Sequence, residues 1–128
     1  MTLQTGVEIF AVIHLTTVGL SHILAHRAWA EFFILLRDKG HAGVIFVGFL
    51  SLGFGSIIAA FHPVWTGPHF LLTLLGWSQV LKALVYLSFP SVGLKKLHVV
   101  TLERSKLFVA PGIAFLALAA VVLWVLLE

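Results

Sequence analysis

The sequence predicts an all-α integral membrane protein, an antiparallel four-helix bundle with a short interfacial helix after the first span. Of its 128 residues 60% are hydrophobic and only 10% charged, with a mean hydropathy of +1.10, a balance far from that of soluble domains. The apolar residues fall into four segments, each long enough to cross the hydrocarbon layer of a bilayer. The eight Lys and Arg residues all collect on one side of those segments. Arg27, Arg37 and Lys39 follow the first segment, Lys95, Lys96, Arg104 and Lys106 separate the third from the fourth, and Lys82 lies in the inner half of the third. Cytoplasmic loops retain Lys and Arg during insertion. Both termini and the 62–69 loop are therefore expected outside, and the 27–41 and 90–106 loops in the cytoplasm.

The first span covers about residues 6–26, roughly 30 Å at 1.5 Å per residue. Met1 to Gly6 contains no Lys or Arg, so this run lacks the charged start of a signal peptide and is expected to be a retained helix. Residues 27–38 interleave charges with Trp29, Phe32, Phe33, Leu35 and Leu36, the pattern of an amphipathic interfacial helix. Gly40 ends it. The second span, about 42–61, is dense in small residues. Ser51, Gly55 and Ala59 recur every fourth position and line one face that permits close helix approach. Pro63, Trp65 and Pro68 then mark an interfacial turn. The third span, about 69–89, puts Ser78, Gln79, Lys82 and Tyr86 on one stripe at spacings of three and four. A short basic loop is expected before the fourth span, about 107–127, which is nearly all aliphatic, with Pro111 and Gly112 close to its start. All of this forms a single transmembrane domain, residues 1–128.

Net charge is +3 and the pI is about 9.7. The basic residues are consumed by topology, so nucleic acid is excluded as a partner and the lipid bilayer is the expected one. The absence of cysteine removes disulfides, thiolate nucleophiles and iron–sulfur clusters.

Chemistry, if present, falls to the seven histidines and the polar stripe of the third span. His14 lies about 12 Å below the outer boundary, with no histidine at its depth on another span to complete a bis-histidine haem site. It is a candidate axial ligand for one haem or pigment, and a cofactor-binding set of His14, Gln79, Lys82 and Tyr86 is expected. His22 and His26 are one helical turn apart and, with His41, make a candidate metal site near the inner boundary. Glu8, His62 and His69 make a second one at the outer boundary, if the first helix packs beside the hairpin. No cofactor is required by the sequence. The five acidic residues lie at or beyond helix ends, and no nucleophile–base–orienter set is visible. No catalytic residue is assigned, and an enzyme acting alone is not expected. Lys82 lies about 10 Å from the inner boundary, within reach of snorkelling by its stem.

One stretch carries a resemblance: His62, Trp65, Leu72-Thr73-Leu74-Leu75-Gly76-Trp77, Lys82-Ala83-Leu84 and Pro90. It resembles uncharacterised small four-helix bacterial inner-membrane proteins, in which a His-x-x-Trp turn precedes a Leu-Gly-Trp-x-x-x-x-Lys helix ending at Pro. In those proteins Gly commonly follows the Lys, where this chain has Ala83. The resemblance implies a location in the bacterial cell inner membrane and the same topology, and no activity. Two functions are expected from the residues. The first is an accessory or assembly subunit of a larger membrane complex, respiratory or photosynthetic, docking on other subunits or on itself through the second helix. The alternative is a histidine-based membrane protein that binds metal, haem, pigment, quinone or protons.

Overall fold

A computed structural model describes all 128 residues. The chain is all-α: α1 (Leu3–Leu24), α2 (His26–Asp38), α3 (His41–Phe61), α4 (Phe70–Ser88), α5 (Pro90–Leu97), a 3₁₀ turn (Ser105–Phe108) and α6 (Val109–Leu127). Helices α1, α3 and α4, and α6 together with its 3₁₀ turn, are long and apolar enough to cross a membrane. They form an antiparallel four-helix bundle, and the protein is a multi-pass membrane protein. Phe49, Leu81 and Ile113 are among the large apolar side chains that the bundle turns outward, toward lipid.

Each predicted span is present. Thr2 starts α1 by accepting the amide of Thr5 on its hydroxyl at 3.1 Å. The chain then breaks at Ala25, whose φ of −118° and ψ of 37° are not helical. In an unbroken helix His22 and Trp29 would lie about 10.5 Å apart along the axis. Instead their rings stack at 4.1 Å, and the Trp29 indole N–H donates to Ser21 Oγ at 2.8 Å. The amphipathic helix therefore folds back on α1, and it buries Ala30 and Leu36 against its neighbours. Gly40, at φ 65°, supplies the left-handed residue that turns the chain into α3.

The expected loop at 90–106 is in its first half a helix. Pro90 occupies the first position of α5, where its fixed φ favours helix and its missing N–H costs nothing. Gly93 and Leu97 are buried beneath it. Pro111 falls in the first turn of α6, again where no amide is needed, so it starts a helix rather than kinking one.

The four spans associate as two close pairs. In α1 and α6, a methyl group at Gly112 would lie 2.8 Å from the Gly19 carbonyl oxygen, and one at Gly19 would lie 2.9 Å from that of Gly112. In α3 and α4, a methyl at Gly55 would lie 2.8 Å from the Gly76 carbonyl, and one at Gly76 would lie 2.6 Å from Ile58 Cγ2. Backbone thus meets backbone in both pairs, which is how helices associate where lipid removes the hydrophobic drive. The pairs touch along their lengths, whereas α1 meets α3 and α4 meets α6 only in short stretches. A seam separates the pairs.

Of the Ser51, Gly55 and Ala59 face, Gly55 and Ala59 lie against Gly76 of α4 in the same chain.

One apolar cluster bridges the seam, and a second lies at the other end of the bundle. Near the termini, Val7, Ala11, Leu15, Ile58, Leu72, Ala119 and Val122 draw on all four spans. At the opposite end, Leu36, Val44, Val47 and Leu97 draw on α2, α3 and α5.

Gly112→Ala should destabilise the bundle by about 1–3 kcal/mol, because backbone rather than a flexible side chain receives the methyl. Gly53→Ala, which meets nothing within 4 Å, should be close to neutral. Unfolding by SDS in mixed micelles reads both, and equal losses in the two variants would refute backbone-limited packing.

Candidate functional site

Between the two apolar clusters the seam opens into a cavity of about 370 Å³. Leu15, Phe54, Leu75 and Phe115 bound it on the side of the termini, and Val47, Phe32 and Phe33 on the other. Trp29, Phe32 and Phe33 reach it only because α2 folds back at Ala25. Into this aromatic space project His14 and His22 from α1, Ser51 from α3, and Gln79 and Lys82 from α4.

The polar groups in it are mostly unused by the protein. His22 Nδ1 lies 2.8 Å from the Val18 carbonyl, which can only accept, so Nδ1 carries the hydrogen and Nε2 has no protein partner. The His22 ring stacks on Trp29 and meets Phe115 edge-on at 5.6 Å. His14 stacks on Phe54 at 4.3 Å, with a 23° interplanar angle, and neither of its nitrogens is hydrogen-bonded. Lys82 has no carboxylate within 4.0 Å and no acceptor; its Nζ lies 5.4 Å from the Tyr86 ring centroid. The Gln79 amide and the Ser51 hydroxyl are likewise without side-chain hydrogen bonds. Groups of this kind at membrane depth are costly to leave unpaired.

Three of the four residues expected to bind a cofactor are therefore brought together: His14, Gln79 and Lys82. Tyr86 is not. It packs between α3 and α5, against Gly48 and Gly93, and joins the apolar cluster around Val44. Ser51, expected only to pack, also lines the cavity.

The expected metal site of His22, His26 and His41 does not assemble. The break at Ala25 removes the shared helical face of His22 and His26. His26 Nδ1 instead pairs with Ser105 Oγ at 2.9 Å, fastening α2 to the 3₁₀ turn, and His41 is exposed at the start of α3. No three His, Cys, Asp or Glu residues converge as metal ligands anywhere in the chain.

Glu8, His62 and His69 do converge, but as a hydrogen-bonded Glu8–His62 pair with His69 packed beside it rather than as a metal centre. His62 Nε2 lies 3.0 Å from Glu8 Oε1 and its Nδ1 lies 2.8 Å from Thr73 Oγ1, so neither nitrogen is left for a metal. Gln4 Nε2 donates to the same carboxylate oxygen at 3.0 Å. His69 stands edge-on to His62 with ring centroids 5.8 Å apart, and its buried Nδ1 has no partner. Thr73 had no role in the sequence reading. The one sign of it was a hydroxyl in the otherwise apolar first two turns of α4, following a turn with two histidines.

Set against models of protein families, curated proteins and solved structures, the chain matches none of them. Fold and cavity alone define what it is: a membrane bundle of two tight helix pairs with a polar cavity in the seam between them.

Replacing Thr73 by Val leaves the buried His62 Nδ1 facing a methyl and should cost about 1–3 kcal/mol, while Thr73→Ser should keep most of the stability. Thermal unfolding in detergent separates the two; identical melting of Val and Ser variants would show that the hydroxyl carries nothing.

Proposed function

We propose that the protein binds a small lipophilic molecule with an oxygen-rich, flat head group, of the quinone class, in the seam cavity. What supports this reading above all is the convergence of polar groups with atoms that no protein partner uses, donors at Lys82 and Gln79 and the free Nε2 acceptor of His22 among them. The Lys82 ammonium, the Gln79 amide and the imidazoles of His14 and His22 border one space, walled by five aromatic side chains. Carbonyl or phenolate oxygens are the natural acceptors for an ammonium and an amide, and a planar ring suits the stacked Trp29 and Phe54. The volume is at the lower end of small-molecule sites, about 300–1,000 Å³. It suits a head group whose tail leaves through the seam into lipid. Lys82 is then held inside the bundle by its ligand, in place of the snorkelling expected from its depth alone.

The reading as an accessory subunit rests on the small-residue face of α3, on the aliphatic α6 and on the lack of a catalytic constellation; Gly55 and Ala59 of that face pack against α4, and the cavity favours the ligand-binding reading. The cell inner membrane of a bacterium is the proposed location, with both termini and the 62–69 connection outside. Seven basic residues on and around α2, α5 and the 3₁₀ turn support that orientation, since they stay with the cytoplasm.

In lipid nanodiscs, decylubiquinone should quench tryptophan fluorescence saturably, with Trp29 the reporter. Lys82→Met and Gln79→Leu keep side-chain size and should each weaken binding at least about tenfold, or 1.4 kcal/mol. No saturable quenching by the unaltered protein, or unchanged affinity in both variants, would overturn the reading. For orientation, a periplasm-dependent reporter such as alkaline phosphatase should be active when fused after Glu128 and inactive when inserted after Lys39; the reverse pattern inverts the topology.

A further inference from the structure

Only one side-chain hydrogen bond joins the α1/α6 pair to the α3/α4 pair: Glu8 to His62, at the end of the bundle that carries the termini. Its surroundings fix how many hydrogens it contains. Thr73 Oγ1 lies 2.9 Å from the His62 carbonyl and 2.7 Å from the Val64 carbonyl, and 2.8 Å from His62 Nδ1. A hydroxyl has one hydrogen, and carbonyls can only accept it. If Thr73 gave its hydrogen to Nδ1, two carbonyl oxygens would face the hydroxyl oxygen at hydrogen-bond distance with nothing between. The hydroxyl therefore donates to the carbonyls, and Nδ1–H donates to Thr73.

With its hydrogen committed at Nδ1, a neutral His62 would turn a bare lone pair at Nε2 toward a carboxylate oxygen 3.0 Å away. Two acceptors at that distance repel. Gln4 cannot relieve this, because its amide donates to the Glu8 oxygen and not to the imidazole. We infer that Glu8 and His62 together form a binding site for one proton, held either as imidazolium and carboxylate or as imidazole and carboxylic acid. Both forms are neutral overall, which matches the burial. Glu8 is 3% exposed and His62 0%, and a lone charge there would be strongly penalised.

The groups facing the pair come from each packed element. They are Gln4 on α1, His69 in the 62–69 connection, Thr73 on α4, and the apolar Ala119 and Val122 on α6. No Lys, Arg or chain terminus comes within 4.0 Å of the carboxylate. The proton is thus the only positive species that balances Glu8. Its removal sets carboxylate against lone pair across the seam, and the two helix pairs lose their only polar tie. The site is separate from the cavity: Leu15, Ile58 and Leu72, all but fully buried, lie between the two.

The direct test is ¹⁵N NMR of histidine-labelled protein in nanodiscs, with His62 assigned sequence-specifically. The expected result near neutral pH is a protonated Nδ1, with Nε2 either protonated or accepting a hydrogen bond from a carboxylic acid. A neutral His62 with Nε2–H and a bare Nδ1 would overturn the inference, and this measurement needs no variant.

Discussion

Everything else in this molecule follows from how closely helices must approach in a bilayer. Lipid tails are as apolar as leucine, so spans gain little by touching unless backbone meets backbone. Here that condition is met twice, at Gly19 with Gly112 and at Gly55 with Gly76. Each contact commits the small-residue face of its helices to one partner. The faces left over carry larger side chains, Leu15, Phe54, Leu75 and Phe115 among them, and these hold the two pairs apart. A bundle packed evenly on all sides would have no interior space. One packed as two tight pairs has a seam, and a seam between lipid-exposed helices is where polar side chains can shelter.

The fold was largely legible because hydropathy and charge asymmetry act over whole segments. The four spans and the amphipathic α2 emerge where the pattern places them. What escaped is local. The break at Ala25 involves neither Pro nor Gly, and it goes with contacts that the linear pattern does not show, Trp29 on His22 and on Ser21. With it went the supposed His22 and His26 face, and through it came three aromatic walls of the cavity. Helix α5 escaped because eight residues ending in Lys95 and Lys96 look like a basic loop. Ala83, directly after Lys82, is fully buried, so its small size answers to packing.

The site was legible by face and not by depth. Gln79, Lys82 and Tyr86 do share a stripe, but Tyr86 lies about 10.5 Å along the axis from Gln79, beyond the wall formed by Phe32 and Phe33. Periodicity says which way a side chain points, and only the packing of α2 and α5 says where the cavity stops. The convergence of Glu8, His62 and His69 was visible as a condition, that α1 should pack beside the hairpin. The sequence could not say whether metal or hydrogen bonds would join them, since that depends on two carbonyls and His62 Nδ1 each lying within 3 Å of the Thr73 hydroxyl.

The two polar features occupy opposite sides of the apolar cluster around Leu15, Ile58 and Leu72, and no chain of hydrogen bonds runs between them. Any influence of one on the other therefore passes through geometry. The Glu8 to His62 bond ties the pairs at the end bearing the termini. At the far end they are bridged by α2, through the His26 to Ser105 bond and the Leu36, Val44 and Leu97 contacts. The cavity lies between these two fastenings. The spacing of the pairs at the cavity, and with it the room beside Trp29 and Phe54, is therefore set from both ends: by a hydrogen bond on the other side of the apolar layer, and by the helix that supplies three of the cavity's aromatic walls.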